Sequence, residues 1–368
     1  MDLRARKFAQ ILVDHSTQIK PGDRVAITST TAAESVLRHL YELVLDRGGH
    51  PHLLIDLPGL DEVLFAHASD EQLDFVPVMH KLAFEEFDVL IKFRAETNTR
   101  LLSNVDPARA TRRQKTLASL IETQMRRGAT RELRWMSTQF PTAAYAMEAD
   151  MGTEEYQDFF YRAIHADQDT EDPVAYWEGV KQRQQKIINR IEGHDQVTLC
   201  GRNVDLTLSI KDRRFVNACG EHNLPDGEIY TGPVENSADG WVRYTYPAVT
   251  QGRIVEGIEL TFENGRVVKA SARQNQDFLN QMLDTDANAR YIGEFAIGTN
   301  YEINRFTRSI LLDEKIGGSF HMALGAGYPE TGSQNRSRIH WDMICDLRQD
   351  SEIRVDGELF YKDGQFVE

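Results

Sequence analysis

The chain has 368 residues, 41% hydrophobic and 27% charged, which is the profile of a globular enzyme with room for two domains rather than of a disordered or fibrous chain. With 57 acidic against 42 basic side chains, the formal net charge of −15 argues against nucleic acid as a partner, because phosphate binding needs a basic face. Cys200, Cys219 and Cys345 have neither zinc-knuckle nor redox spacing, and their odd number gives no disulfide framework, which points to a reducing compartment.

In chain order, Leu3, Phe8, Ile11 and Leu12 recur at helical spacing, so the N-terminus reads as an amphipathic first helix and not as a signal peptide. No run of about 18 apolar residues occurs, which argues against a membrane span. A cytoplasmic protein is expected. Pro21-Gly22-Asp23 is a turn, Arg24–Thr28 a strand, and 31–47 a helix with Val36, Leu40, Leu43 and Val44 on one face. Gly48-Gly49 ends that helix, and His52–Ile55 is the next strand. This β-α-β unit favours a parallel sheet. A helix near 71–86 leads to a strand at Val89–Phe93. The arginine-rich segment 105–128 is helical, and its charges read as a solvated face rather than a substrate-anion clamp.

Residues 173–192 form a helix with Trp177, Val180, Ile187, Ile188 and Ile191 as its buried stripe, closed by Gly193. Short β runs then dominate, at Val197–Cys200, Leu206–Ile210, Val242–Pro247, Arg253–Phe262 and Val267–Arg273, with hairpin signals at Asn264-Gly265 and Asp356-Gly357. The expected architecture is an α/β domain with a mainly parallel sheet over 1–194. A strand-rich α+β domain that binds metal follows over 195–368.

The chemistry concentrates in that second domain. If Arg338–Ile344 is a strand, its alternation puts His340 and Asp342 on one face and Ile339, Trp341 and Met343 on the other. Imidazole beside carboxylate suits zinc, manganese, iron or cobalt. A surface hydrogen-bonded pair is the plainer alternative. His321 lies in the apolar run Phe320–Gly325, where a satisfied core histidine competes with a ligand. Glu256 and Glu294 each sit among apolar neighbours, where an ionised carboxylate needs a cation, hydrogen bonds or solvent. Asp284–Asn288 begins like a calcium loop, but Ala289 and Phe295 occupy its glycine and glutamate positions. No GxGxxG, Walker A, HExxH or GxSxG motif occurs.

The stretches RIVEGIELTFENG, YIGEFAIGTN, LLDEKIGGSFHMALG and RIHWDMICD, with NLPDGEIYTGPVENSADG upstream, resemble the M29 family of metallopeptidases, the group of aminopeptidase T and aminopeptidase S. The resemblance implies a homodimeric hydrolase that removes N-terminal amino acids from peptides, using two divalent metal ions (zinc, cobalt or manganese). It implies Glu256, Glu294, His321, His340 and Asp342 as ligands, with Glu294 bridging, and Tyr328 as a catalytic residue beside the metals. The spacing from Glu256 to Glu294 is shorter than in better-known members. The fold also resembles an iron-dependent ring-opening dioxygenase with a mononuclear site, in which a histidine stands where Glu294 stands here. A non-catalytic small-molecule binder is a further alternative; the retained acids favour the peptidase.

Overall fold

The computed structural model describes residues 2–250 and 252–368, which divide into two compact units. The first runs to Glu178 and takes in Gly220–Pro225; the second holds Gly179–Cys219 and Asp226–Glu368.

The first unit realises the β-α-β pattern. Strand Arg24–Thr30 pairs in parallel with His50–Asp56 on one side and Val89–Arg94 on the other. The sheet continues in parallel through Arg134–Gln139 to the short strand Asn223–Leu224. Helix Glu34–Asp46 makes the first crossover and buries Val36, Leu40, Leu43 and Val44. Gly48, at φ +76, closes it in a conformation that a side chain would resist.

Two local expectations change. The single helix near 71–86 is broken, because Pro77 offers no N–H and disfavours helical backbone at Val76. The chain instead forms Asp70–Leu73, fixed by a Ser69–Gln72 capping box, and then Val78–Glu86. The arginines of helix Pro107–Ala129 are not simply solvated. Arg109 donates to the Phe65 and Ala68 carbonyls, Arg113 to those of Leu73 and Phe75, and Arg127 to that of Phe84. Arg112 pairs with Asp70 and Asp74. They tie down the short helices beside them.

The second unit contains an eight-stranded antiparallel sheet whose hairpins turn where the sequence marks them. Asn264-Gly265 has φ values of 49° and 78°, and Asp356-Gly357 has 48° and 85°, the two left-handed residues of a tight hairpin. The run Arg253–Phe262 is two strands, Arg253–Val255 and Glu259–Glu263, because Gly257 at φ +65 turns the chain between them.

A five-stranded antiparallel sheet carries the acids and histidines. Its order is His340–Asp346, Ser319–Gly325, Ile292–Gly298, Glu228–Thr231 and Val216–Ala218. Alternation gives it two unlike faces. Phe295, Ile297, Phe320, Met322, Leu324, Trp341, Met343 and Cys345 point into the main core of the unit. The other face follows from the register: Ala323 stands opposite both Glu294 and Asp342, His321 opposite Ala296, Tyr230 opposite Ala296, and Gly325 opposite His340. Directly opposed residues share a face. Glu228, two residues before Tyr230, therefore joins Glu294, His321, His340 and Asp342 there, around Ala296 and Ala323.

Candidate metal centre

Each of these side chains is held by strand geometry, and all but the partly exposed His340 are largely withdrawn from water. Glu294 is 4% exposed and His321 fully buried. His321 Nε2 lies 3.4 Å from both Glu228 Oε2 and Glu294 Oε1. His340 Nε2 lies 3.3 Å from Glu294 Oε2 and 3.4 Å from Asp342 Oδ1. The other ring nitrogen of His340 donates to the Ala326 carbonyl at 2.7 Å, which fixes the ring with Nε2 facing the acids. Glu314, just after the short helix Ile310–Asp313, adds a further carboxylate. The neighbouring Asp313 accepts from the backbone and hydroxyl of Thr307, both at 2.7 Å, which anchors this segment.

Three sets of donor atoms result, each within 4.8 Å of one another: Glu228, Glu294 and His321; Glu294, His340 and Asp342; Glu314, His321 and Asp342. Buried atoms that converge here lack hydrogen-bond partners: Glu228 Oε2, both ring nitrogens of His321, and Asp342 Oδ1. Buried polar groups are ordinarily satisfied, so several orphans facing one another fit a bound cation. Carboxylate and imidazole donors suit a divalent one.

The electrostatics agree. Burial pushes the Glu294 carboxyl up, but His321 and His340 outweigh it and hold the group well below its ordinary range. Burial opposes the charging of His321, yet Glu294 and Glu228 raise it to about 9. His340 is raised well above its ordinary value against burial, chiefly by Asp342.

Tyr328 has its extended backbone from the following Pro329 and is 39% exposed. Its ring stands 5.4 Å from that of Tyr230 and 5.3 Å from that of His340. The Tyr230 hydroxyl donates to Glu330 at 3.1 Å, on the turn that follows Tyr328.

The structure thus brings together Glu294, His321, His340 and Asp342, with Tyr328 beside them, but not Glu256. That residue leaves its strand after Val255, is one-third exposed, and is paired with Arg273 at 2.7 Å. Its charge is already answered across the Glu256–Gln274 bridge, and it belongs to none of the three donor sets. Sequence reasoning missed Glu228 and Glu314. The signal for Glu228 was an acid inside LPDGEIYTGP, where Gly227 at φ +122 and Pro225 obscure the strand.

The model of the thermophilic metalloprotease family M29 matches residues 1–366. The chain belongs to the M29 family. Aminopeptidase 2 of Geobacillus stearothermophilus is 26% identical to it over 399 residues, covering 98% of this chain and 94% of that one. Aminopeptidase T of Thermus aquaticus is 29% identical over 229 residues, 54% of each chain. Wild-type AmpT from Thermus thermophilus superposes with a TM-score of 0.86 at 21% identity, covering 99% of both chains, which establishes the fold. The enzyme class that follows for this M29 chain is metallo-aminopeptidase, a hydrolase with a divalent metal cofactor.

Two predictions follow from the geometry. Glu228→Gln should lose metal on dialysis, whereas Glu256→Gln should retain it like the unaltered chain; metal analysis of both after gel filtration decides, and the reverse ranking would restore Glu256 to the site. The second concerns pH. In the metal-free chain, His321 is raised from 6.5 to about 9, so its imidazolium stabilises the fold fully below pH 6.5 and loses that effect as pH rises through 9. The stability difference between the metal-free chain and its His321→Gln variant should narrow by roughly 3 kcal/mol over that interval, measured by denaturant unfolding. Coordination needs the neutral ring, so metal affinity should rise over the same interval.

Proposed function

We propose that this centre holds two divalent ions, zinc, cobalt or manganese, and that the enzyme releases N-terminal amino acids from peptides with a free amino end. The observation that carries the reading is the sharing of Glu294 between two donor sets, one completed by Glu228 and His321 and the other by His340 and Asp342. One carboxylate with an oxygen toward each histidine is the arrangement of a bridging ligand. Glu314 reaches His321 and Asp342 from a third side and adds to the same ligand set.

When bound, such ions supply Lewis acidity toward a carbonyl and make a nucleophile from water at neutral pH. The protein's part is to fix the ligands. Strand backbone orients His321, Asp342 and Glu294, and the Ala326 carbonyl selects the His340 tautomer. A free amino terminus would offer a nitrogen donor to such an ion, which supports exopeptidase action. Partial burial, reinforced by Glu294, raises Tyr328 above the ordinary phenol value, so its hydroxyl keeps its proton at neutral pH and serves as a donor to the oxyanion of the scissile carbonyl. No helix among the described residues is long and apolar enough to cross a membrane, and the three cysteines are free thiols. A reducing, cytoplasmic setting and a homodimer, which the family resemblance implies, complete the proposal.

The test is metal content together with end-group dependence. Two equivalents per chain are expected, along with cleavage of a free dipeptide or aminoacyl anilide and none of its N-acetylated form. One equivalent, or equal cleavage of the blocked substrate, overturns the reading. Glu294→Gln should abolish turnover and empty at least one site. Tyr328→Phe should keep its metals and lower kcat by about 100–1000-fold with little change in KM, as expected for a lost transition-state donor. Unchanged kinetics would make Tyr328 a packing residue.

A further inference from the structure

Lys315 is 1% exposed, the only lysine or arginine buried to that depth among the described residues. Its Nζ donates to Glu228 Oε1 at 2.5 Å and to Glu314 Oε1 at 2.6 Å, and Asp226 Oδ1 lies 3.8 Å away. An ammonium has three donors and no acceptor, so a pocket of three carboxylates can hold it charged. Glu228 is thereby divided. It gives Oε1 to the lysine, while its Oε2 faces His321 with no hydrogen-bond partner. Glu314 likewise gives one oxygen to Nζ and remains within reach of His321 and Asp342.

The charge count gives this arrangement a purpose. Asp226, Glu228, Glu294, Glu314 and Asp342 are withdrawn from solvent and bring five negative charges when ionised. The ammonium leaves four, which is the charge of two divalent ions. Buried charge without compensation is costly, so a centre of five carboxylates and two divalent ions would need one more positive charge.

We propose that Lys315 is a built-in monovalent cation of the metal centre, a positioning residue whose ammonium takes the place between Glu228, Glu314 and Asp226 that a third ion would otherwise occupy. It turns one oxygen of Glu228 toward the divalent ions and completes the charge balance. This rests on the two-ion reading above.

A lysine that merely packs would be replaced by methionine, which fills the same space without charge. A lysine acting as a cation would be replaced, after truncation to alanine, by a small monovalent ion from solution. The experiment compares the full-length metal-loaded chain with Lys315→Ala and Lys315→Met in potassium, ammonium and choline chlorides at equal ionic strength. It reads melting temperature and divalent metal retained after dialysis. The unaltered chain should be indifferent to the salt. The alanine variant should melt roughly 5–10 °C lower in choline, and regain most of that loss and its metal, saturably, in potassium or ammonium. The methionine variant should stay low in all three. A methionine variant equal to the unaltered chain, or an alanine variant that behaves alike in the three salts, overturns the proposal. If the alanine variant is obtained only unfolded, refolding in ammonium against choline decides: recovery in ammonium alone supports the role, and recovery in both or in neither overturns it. Metal content of the unaltered chain tests the two-ion reading separately, so a failure of that reading is not mistaken for a failure of this one.

Discussion

Crowding of like charge on a single sheet face is the constraint to which the rest of the second unit answers. Glu228, Glu294 and Asp342 lie within reach of one another and of His321, with almost no solvent to screen them. Carboxylates so placed cannot all stay ionised unless positive charge stands among them. The two histidines respond by rising, and Lys315 responds by pairing with two acids at once. The folded chain therefore carries a demand for cations before any ion arrives. Metal binding and folding are coupled through that demand.

Such a face survives only because its reverse is strongly apolar. Phe295, Phe320, Met322, Trp341 and Met343 leave the same strands in the opposite direction, and all are at most 2% exposed. Each buried side chain of this size contributes about 1.5–3 kcal/mol, which offsets part of the cost of withdrawing polar groups on the other side. Strand alternation, the simplest rule of β structure, separates the two tasks residue by residue. The same segments carry the core and the chemistry.

Much of this was legible in the sequence. The β-α-β unit announced itself through helical spacing ended by Gly48-Gly49, and the hairpins through Asn264-Gly265 and Asp356-Gly357, because those signals depend on local backbone preference. His340 and Asp342 could be placed on one face for the same reason, since alternation needs no knowledge of partners. That Glu256 stands apart from the donor sets was not legible, because only tertiary pairing brings Arg273 beside it. Glu228 was overlooked because its strand is four residues long and bounded by turn residues, too short for periodicity to show. Pairing order was beyond sequence reasoning as well. Nothing along the chain states that Glu228–Thr231 lies beside Ile292–Gly298.

Ala296 and Ala323 form the floor between the charged side chains, each fully buried and each opposite a donor or a neighbour of one. Their consequence is for sequence drift. The core face can exchange one hydrophobic residue for another of similar volume and lose little. The floor has no such freedom, because any larger side chain would enter the space where the carboxylates and imidazoles converge. Two methyl groups thus set the depth of the basin. Exchanges within the core face would leave the basin intact, whereas an enlargement at Ala296 or Ala323 would narrow the space a bound cation needs.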